Sequence, residues 1–257
     1  MGYLEIRKLT RFFGGLAAVM ELDMDVGQGQ LFGLIGPNGA GKTTVLNMIG
    51  GILRPSRGQI IFDGAEVTKL PPHLKARQGI ARVFQENLLF SSFTVLENVQ
   101  VGYHMQTRID FSSIFLETRS NRTQEKALQQ RALDTLDFVG LGQYSNELAI
   151  NLPHGRQRLL ALAIALATQP QLLLLDEPVT GMNSEEVETM LSMIRALREQ
   201  RGITCIIIEH NLKAIMGLCD RIAVLHFGRK IAEGPPEEIA DNPAVMEAYL
   251  GKEEDVA

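Results

Sequence analysis

The run Gly36-Pro37-Asn38-Gly39-Ala40-Gly41-Lys42-Thr43, continued by Thr44, is suited to one task, the cradling of a polyphosphate. Glycines at 36, 39 and 41 let the backbone curl with successive N–H groups pointing inward. A helix opening at the end of the run presents its positive end to the same point. Lys42 adds a mobile ammonium able to reach the β- and γ-phosphates, and the Thr43 hydroxyl is placed to ligate the magnesium ion that a nucleoside triphosphate carries. A chance match to such a pattern in a chain of this length is on the order of one per cent. The run predicts a nucleotide-binding protein.

A second constellation lies far downstream. Four leucines, Leu172 to Leu175, are followed at once by Asp176, Glu177 and Pro178. This puts two carboxylates at the carboxyl end of a buried strand, where open α/β sheets hold their ligands. Their expected tasks differ: Asp176 to coordinate magnesium through water, Glu177 to polarise the water that attacks the γ-phosphate. Another apolar run, Ile203 to Ile208, ends in Glu209-His210, and the imidazole is a third arm aimed at the same phosphate.

The elements that must position these groups are legible from periodicity. Gln30 to Ile35 is a short buried strand before the phosphate loop, and Thr44 to Ile49 an apolar-faced helix ended by Gly50-Gly51. Met20, Leu22, Met24 and Val26 alternate with acids at period two, and Gln59 to Phe62 runs into the turn signal Asp63-Gly64. Both predict a half-exposed antiparallel sheet. Leu128, Ala132, Leu136 and Val139 recur at helical steps before Gly140, as do Val187, Met190, Leu191, Ile194 and Leu197 between the two later strands. Continuous apolar strands separated by helices predict an α/β fold: a parallel, doubly covered sheet, an N-terminal antiparallel β subdomain and an inserted helical lobe over about 94–168. His104 to Arg122, with Arg108, Arg119 and Arg122, shows no periodicity and reads as a solvated loop.

Composition sets bounds. At 257 residues and 45% hydrophobic content the chain supports one substantial core with a lobe attached. A net charge of −5 gives no basic footprint for nucleic acid, which is not an expected partner. Glu5 interrupts any signal-peptide pattern, and no apolar run approaches the roughly 18 residues that span a bilayer, so a soluble, cytosolic chain is expected. Cys205 and Cys219 match no metal or redox spacing and read as buried, inert thiols.

In this order the motifs resemble the ATP-binding subunit of an ABC transporter, a P-loop NTPase with a RecA-like core, over nearly the whole chain. The resemblance makes Gly36 to Thr43 the first Walker motif and Leu172 to Asp176 the second. It makes Gln85 the Q-loop residue linking magnesium to the membrane partner, His210 the switch histidine and Phe13 the ring on which adenine stacks, with neighbouring Phe12 as the alternative. The family's Leu-Ser-Gly-Gly-Gln signature falls at Leu152-Pro153-His154-Gly155-Arg156, where only Leu152 and Gly155 agree. In the family that segment grips, from a helix N-terminus, the γ-phosphate of ATP bound to the opposite subunit. Pro153 lacks both a hydroxyl and an N–H but is tolerated in a first helical turn, and His154 offers a replacement donor, so the expectation is a working, altered clamp. A degenerate, non-hydrolysing site is the alternative. Asn183, where most of the family has aspartate, reads with Glu186 as a capping box and receives no catalytic role.

Within the family, Gly181-Met182-Asn183, the altered signature, the insertion after Glu97-Asn98-Val99 and the ending Asn242-Pro243 to Tyr249-Leu250-Gly251 are similar to the ATPases of branched-chain amino acid uptake. Urea, amide and lipopolysaccharide carriers have similar ATPases. The resemblance implies ATP and Mg2+ as ligands, and as partners integral membrane permease subunits, a second identical or homologous cassette and, indirectly, a substrate-binding protein. It implies a peripheral place on the cytoplasmic face of the inner membrane. The membrane subunit is expected to dock at Gln85 to Val99, with Leu88, Leu89, Phe90 and Phe93, unless those residues are core. The domain layout is expected as 1–93 with 169–230 for the nucleotide-binding core, 94–168 for the helical subdomain and 231–257 for a C-terminal extension. Two rivals stand beside this reading: a lone phosphate-loop kinase or GTPase, against which no Asn-Lys-x-Asp tetrapeptide occurs, and a cytosolic cassette protein regulating nucleic-acid complexes.

Overall fold

The computed structural model describes residues 2–84, 89–104, 119–210 and 212–250. Two sheets share the core. In the first, β1 (Leu4–Phe13) pairs antiparallel with β2 (Leu16–Val26) on one side and β4 (Arg57–Phe62) on the other, and β5 (Ala65–Glu66) extends β4. Leu4 faces Val26, Ile6 faces Met24 and Leu9 faces Leu22. The period-two pattern places Leu22, Met24 and Val26 in the core, but it fails at Met20, where Val19 is the buried residue. Glu21 between them lies at φ +47 and the register shifts opposite it. This irregularity re-phases the strand so that an odd-numbered side chain turns inward.

The second sheet has the order β10-β9-β3-β8-β7-β6, built from β3 (Leu31–Ile35), β6 (Ile80–Val83), β7 (Leu172–Asp176), β8 (Thr204–Ile208), β9 (Arg221–His226) and β10 (Arg229–Gly234). All but β10 run parallel. Every residue of β3, β7 and β8 is buried, because both faces are covered and successive side chains enter opposite layers. Leu173, Leu175, Cys205 and Ile207 join one apolar cluster; Leu172, Leu174, Ile206 and Ile208 join the other. Burial pushes the Cys205 thiol up to about 12 and raises Cys219 too, as inert thiols require.

Helix α1 (Lys42–Ile49) follows β3, and α2 (Pro72–Arg77) precedes β6. The helical lobe comprises α3 (Val95–His104), α4 (Arg119–Phe138) and α5 (His154–Ala167). Ala132 and Leu136 are buried on α4 and Leu128 is half-buried; Val139, just past the end of the helix, is buried, and Gly140 follows at φ +73. Arg119 and Arg122, expected in a loop, belong to α4, while Arg108 lies outside the described residues. Helix α6 (Ser184–Arg201) joins β7 to β8, α7 (Leu212–Leu218) joins β8 to β9, and α8 (Pro236–Ala240) and α9 (Pro243–Leu250) end the chain. Among the described residues no helix is long and apolar enough to cross a membrane.

Candidate nucleotide site

Because β3, β7 and β8 are parallel neighbours, the loops leaving their carboxyl ends meet at one edge of the sheet. From β3 comes the phosphate loop. Gly36, Gly39 and Gly41 adopt φ of +146, +77 and +102, a region closed to ordinary side chains. A Cβ on Gly36 would also strike the Leu225 carbonyl, and one on Gly41 that of Ala18. Asn38, Gly39 and Thr43 are exposed at the mouth of the loop, whereas Pro37 and Ala40 are buried beneath it. Lys42 is buried, and its ammonium donates to the Gly36 and Pro37 carbonyls at 2.7 and 3.0 Å.

Two supports of this loop carry no motif. The fully buried Lys75 of α2 donates at 2.9 Å to the Met48 and Ile49 carbonyls, which end helix α1. Its cation thus sits at the negative end of the helix whose positive end faces the phosphates. Burial lowers its pKa to about 8. From α9, the Tyr249 phenol accepts a hydrogen bond from the Gly36 N–H; burial raises its pKa and that bond acts against the rise.

From β7 and β8 come the acids and the imidazole. His210 Nε2 lies 2.6 Å from Glu177 Oε1, and Thr180 Oγ1 donates to Glu177 Oε2 at 3.2 Å. Glu177 holds φ +51, strained for a non-glycine residue, and its N–H is tied to the Ile208 carbonyl at 2.9 Å. Glu209 is buried and positions both loops, accepting from the Val179 N–H at 2.8 Å and the His210 N–H at 3.2 Å. A cavity of about 240 Å³ is walled by Ala18, residues 38–44, Glu177 and His210. The fold therefore brings three of the sequence-derived groups together, across more than a hundred residues of chain.

Asp176 has a partner that sequence reading missed. Arg82 of β6 donates to its Oδ2 at 2.6 Å, both side chains being nearly sequestered from solvent, and to Asn47 Oδ1 of α1 at 2.5 Å. Among the described residues the guanidinium Nε has no hydrogen-bond partner. Arg158 of α5 is a second buried cation: burial lowers its pKa, and the charges of Glu209 and Glu177 work in the opposite direction. No sequence motif marks Arg82 or Arg158; only the packing of β6 against β7 and of α5 against β6 reveals them.

The donors fit a hydrated magnesium ion. Thr43 at the mouth of the phosphate loop and Asp176, buried at the end of β7 and outside the cavity wall, offer hard oxygens, and among the described residues no cluster of three or more His, Cys, Asp or Glu could hold a metal by itself. That sparse set is what Mg2+ uses when phosphates complete its shell. Gln85, the remaining expected ligand, lies outside the described residues. Phe13 is 46% exposed at the tip of the β1–β2 hairpin, with the Arg11 guanidinium 4.7 Å from its ring centre, and stands outside the cavity wall. Phe12 lines a different groove with Arg57 and Gln59.

The signature segment stands apart, at the start of α5. Pro153 is its N-cap, at φ −55 and ψ 153, and the helix begins at His154, so the proline falls one position before the first turn and its missing N–H interrupts no helical bond. Leu152 and Gly155 are buried; Pro153, His154 and Arg156 are exposed. Gly155 is pressed against the Glu186 carboxylate with no room for a Cβ, and a Cβ on Gly181 would lie 3.3 Å from the His154 ring. Arg156 turns away, its guanidinium 4.3 Å from the Tyr144 ring centre. Asn183 and Glu186 form the expected capping box, each accepting from the other's N–H at 3.0 Å.

A six-stranded sheet with a phosphate loop at one edge, a β subdomain and an inserted helical lobe defines a nucleotide-binding cassette. Residues 19–180 match the family model described as ABC transporter, and residues 229–255 match one described as branched-chain amino acid ATP-binding cassette transporter. The chain is 40% identical to the high-affinity branched-chain amino acid transport ATP-binding protein BraF of Pseudomonas aeruginosa, over 97% of this chain and 98% of that protein. The same figures hold for LivG of Escherichia coli, of the same description. The crystal structure of a nucleotide-free ATP-binding cassette from an ABC transporter superposes with TM-score 0.85 at 28% identity, covering 97% of this chain and 99% of that one. An ADP conformation of such a cassette gives 0.85 and 28%, over 98% and 99%. The chain belongs to the ABC transporter family, as an ATP-binding cassette.

Proposed function

We propose that this cassette hydrolyses ATP to drive branched-chain amino acid uptake through membrane permease subunits, working at the cytoplasmic face as one of a pair. The observation that carries the catalytic part is the single cavity shared by the phosphate loop, Glu177 and His210. The backbone amides of 36–43 and Lys42 hold the triphosphate. Lys42 must release the carbonyls it now contacts to reach the β- and γ-phosphates. Glu177 accepts a proton from the attacking water, and His210, 2.6 Å away, fixes its carboxylate and contacts the γ-phosphate. Thr43, Asp176 and Gln85 are the residues that would hold magnesium, whose charge offsets that of the phosphates. Phe13 is the proposed adenine platform.

The pair forms because one chain carries each half of a site. The phosphate loop of one cassette faces Leu152 to Arg156 of the other, so the contact is reciprocal. His154 takes the place of the usual serine donor. The cargo rests on the names of the relatives and on the match at residues 229–255. Residues 1–93 with 169–230 bind nucleotide, 94–168 transmit closure, and 231–257 extend the core. The permease docks at Gln85 to Val99, of which residues 85–88 lie outside the described residues; Phe90 and Phe93 are exposed and stacked at 5.2 Å, and Leu89 packs on the core. An apolar cleft of about 430 Å³ runs along Arg82, Val83 and Phe84 to Ile164.

Glu177→Gln is the test. Turnover should fall about 10²–10⁴-fold with ATP affinity retained and ATP-dependent pairing strengthened. Unchanged turnover would remove Glu177 from its role.

A further inference from the structure

The turn joining β9 to β10 presents a side chain that its own chain does not cover. Phe227 is 81% exposed at φ +44, a backbone region that crowds a bulky side chain and that Asn or Gly occupies at less cost. Its ring meets that of His226, centroids 4.2 Å apart. The backbone beneath is fixed. Gly228 N–H donates to the Ala40 carbonyl at 3.0 Å, and the Gly228 carbonyl accepts from the Met20 N–H at 2.8 Å. Because β9 is parallel to β3, the turn emerges at the sheet edge that carries the phosphate loop. Ala18, against which Gly228 is packed, is itself a wall of the nucleotide cavity. Backbone strain that exposes an aromatic ring, held rigidly beside a site, points to something the ring does outside its own chain.

A matching feature lies on the other half. Leu148 is 42% and Ile150 62% exposed, immediately before the signature segment. If Leu152 to Arg156 of one cassette meets the phosphate loop of another, the residues flanking each are carried to the same seam. Each flank presents exposed apolar side chains.

We propose that Phe227 packs against the signature flank of the second cassette, Leu148 to Ile150 in an identical copy, so that an apolar rim seals the shared nucleotide site. This rests on the paired reading above. Such a rim excludes water from the seam, and an aromatic ring adds large contact area with few rotamers to fix. Closure would bury what the single chain leaves exposed.

Cys205 and Cys219 are buried, so a cysteine at 227 is selectively labelled. The complex carrying Glu177→Gln and Phe227→Cys, purified with its second cassette, is labelled with benzophenone maleimide, illuminated with and without ATP, and mapped by mass spectrometry. An ATP-dependent adduct on the signature flank of the second cassette is expected. Adducts confined to the labelled chain, in material whose cassettes do associate with ATP, overturn the inference alone. Absence of any ATP-dependent association overturns the paired reading and the inference with it. In parallel, Phe227→Asn should weaken ATP-dependent association about tenfold, with the melting temperature unchanged or higher and nucleotide affinity of the unpaired chain unaltered. Unaltered association would overturn the proposal, and so would lost nucleotide affinity, which would assign the ring to adenine.

Discussion

The two halves of the proposed nucleotide site are built in opposite ways. The phosphate-loop half sits on the ends of buried strands, and its groups are mutually braced: Glu177 by His210, Asp176 by Arg82, Lys42 by two carbonyls, helix α1 by Lys75. The signature half sits on one helix start, with three of its five side chains exposed. Bracing suits the half that must hold charge at fixed points, since preorganised dipoles cost no rearrangement when the reaction occurs. Exposure suits the half whose proposed target belongs to another chain. Substitutions in the first half should therefore act on a single chain, and those in the second on the pair.

The largest effect expected on nucleotide binding by a single chain is that of Lys42→Ala. Removal of a charge-assisted contact to the phosphates should weaken ATP binding about a hundredfold, about 3 kcal/mol, measured by titration with a fluorescent nucleotide. Undiminished affinity would break the assignment of the loop and with it the contrast between halves. On stability the largest effect is that of Arg82→Met. It leaves the Asp176 carboxylate buried and unpaired, so stability should fall by about 3–5 kcal/mol in denaturant unfolding. Arg82→Met with Asp176→Asn should recover part of that loss, because the second change removes the stranded charge. No recovery would mean that Arg82 acts through the Asn47 bond to α1 instead.

How far the sequence revealed these halves cuts across that division. Gly36 to Thr43, Asp176, Glu177 and His210 were legible because each motif ends an apolar run, and strand ends in a parallel sheet meet. The capping box was legible because Asn183 and Glu186 act within one turn. Arg82 and Lys75 were not. Their partners lie 94 and 27 residues away in the chain, and a basic residue in a β strand or a short helix ordinarily faces water. Met20 was misplaced for a related reason: a bulge leaves no mark on the alternation of polar and apolar residues beyond it. The helical start of α4 at Arg119 escaped because its first turns carry polar residues in sequence, with no apolar positions to set a period.

Lys75 gives a pH signature confined to the braced half. Its folded pKa of about 8 lies below the ~10.4 of an exposed lysine. Between those values the unfolded chain binds the extra proton, so stability conferred at this position rises with pH, by up to about 1.4 kcal/mol per unit. A neutral amine keeps two N–H donors, enough for both helix-end carbonyls. Relative to Lys75→Met, the unmodified protein should gain stability from pH 8 to 9.5 in thermal unfolding. A gap that is flat or shrinks over that range would mean the ammonium is better solvated than its burial implies.

The smallest effect expected is at the foot of the signature half. Asn183→Ala removes a side-chain cap from α6 and should cost about 1 kcal/mol of stability. Glu186, the other member of the box, is the carboxylate pressed against Gly155, so the cap also fixes what lies beneath the signature segment. Nucleotide affinity of the unpaired chain should stay unchanged, because none of these residues walls the 240 Å³ cavity. ATP-dependent association should weaken modestly, since the N-terminus of α5 loses its rest. Titration of the unpaired variant alongside sedimentation of the pair separates the two. A loss of affinity without a loss of association would place Asn183 with the phosphate loop, and the two halves would then not be built independently.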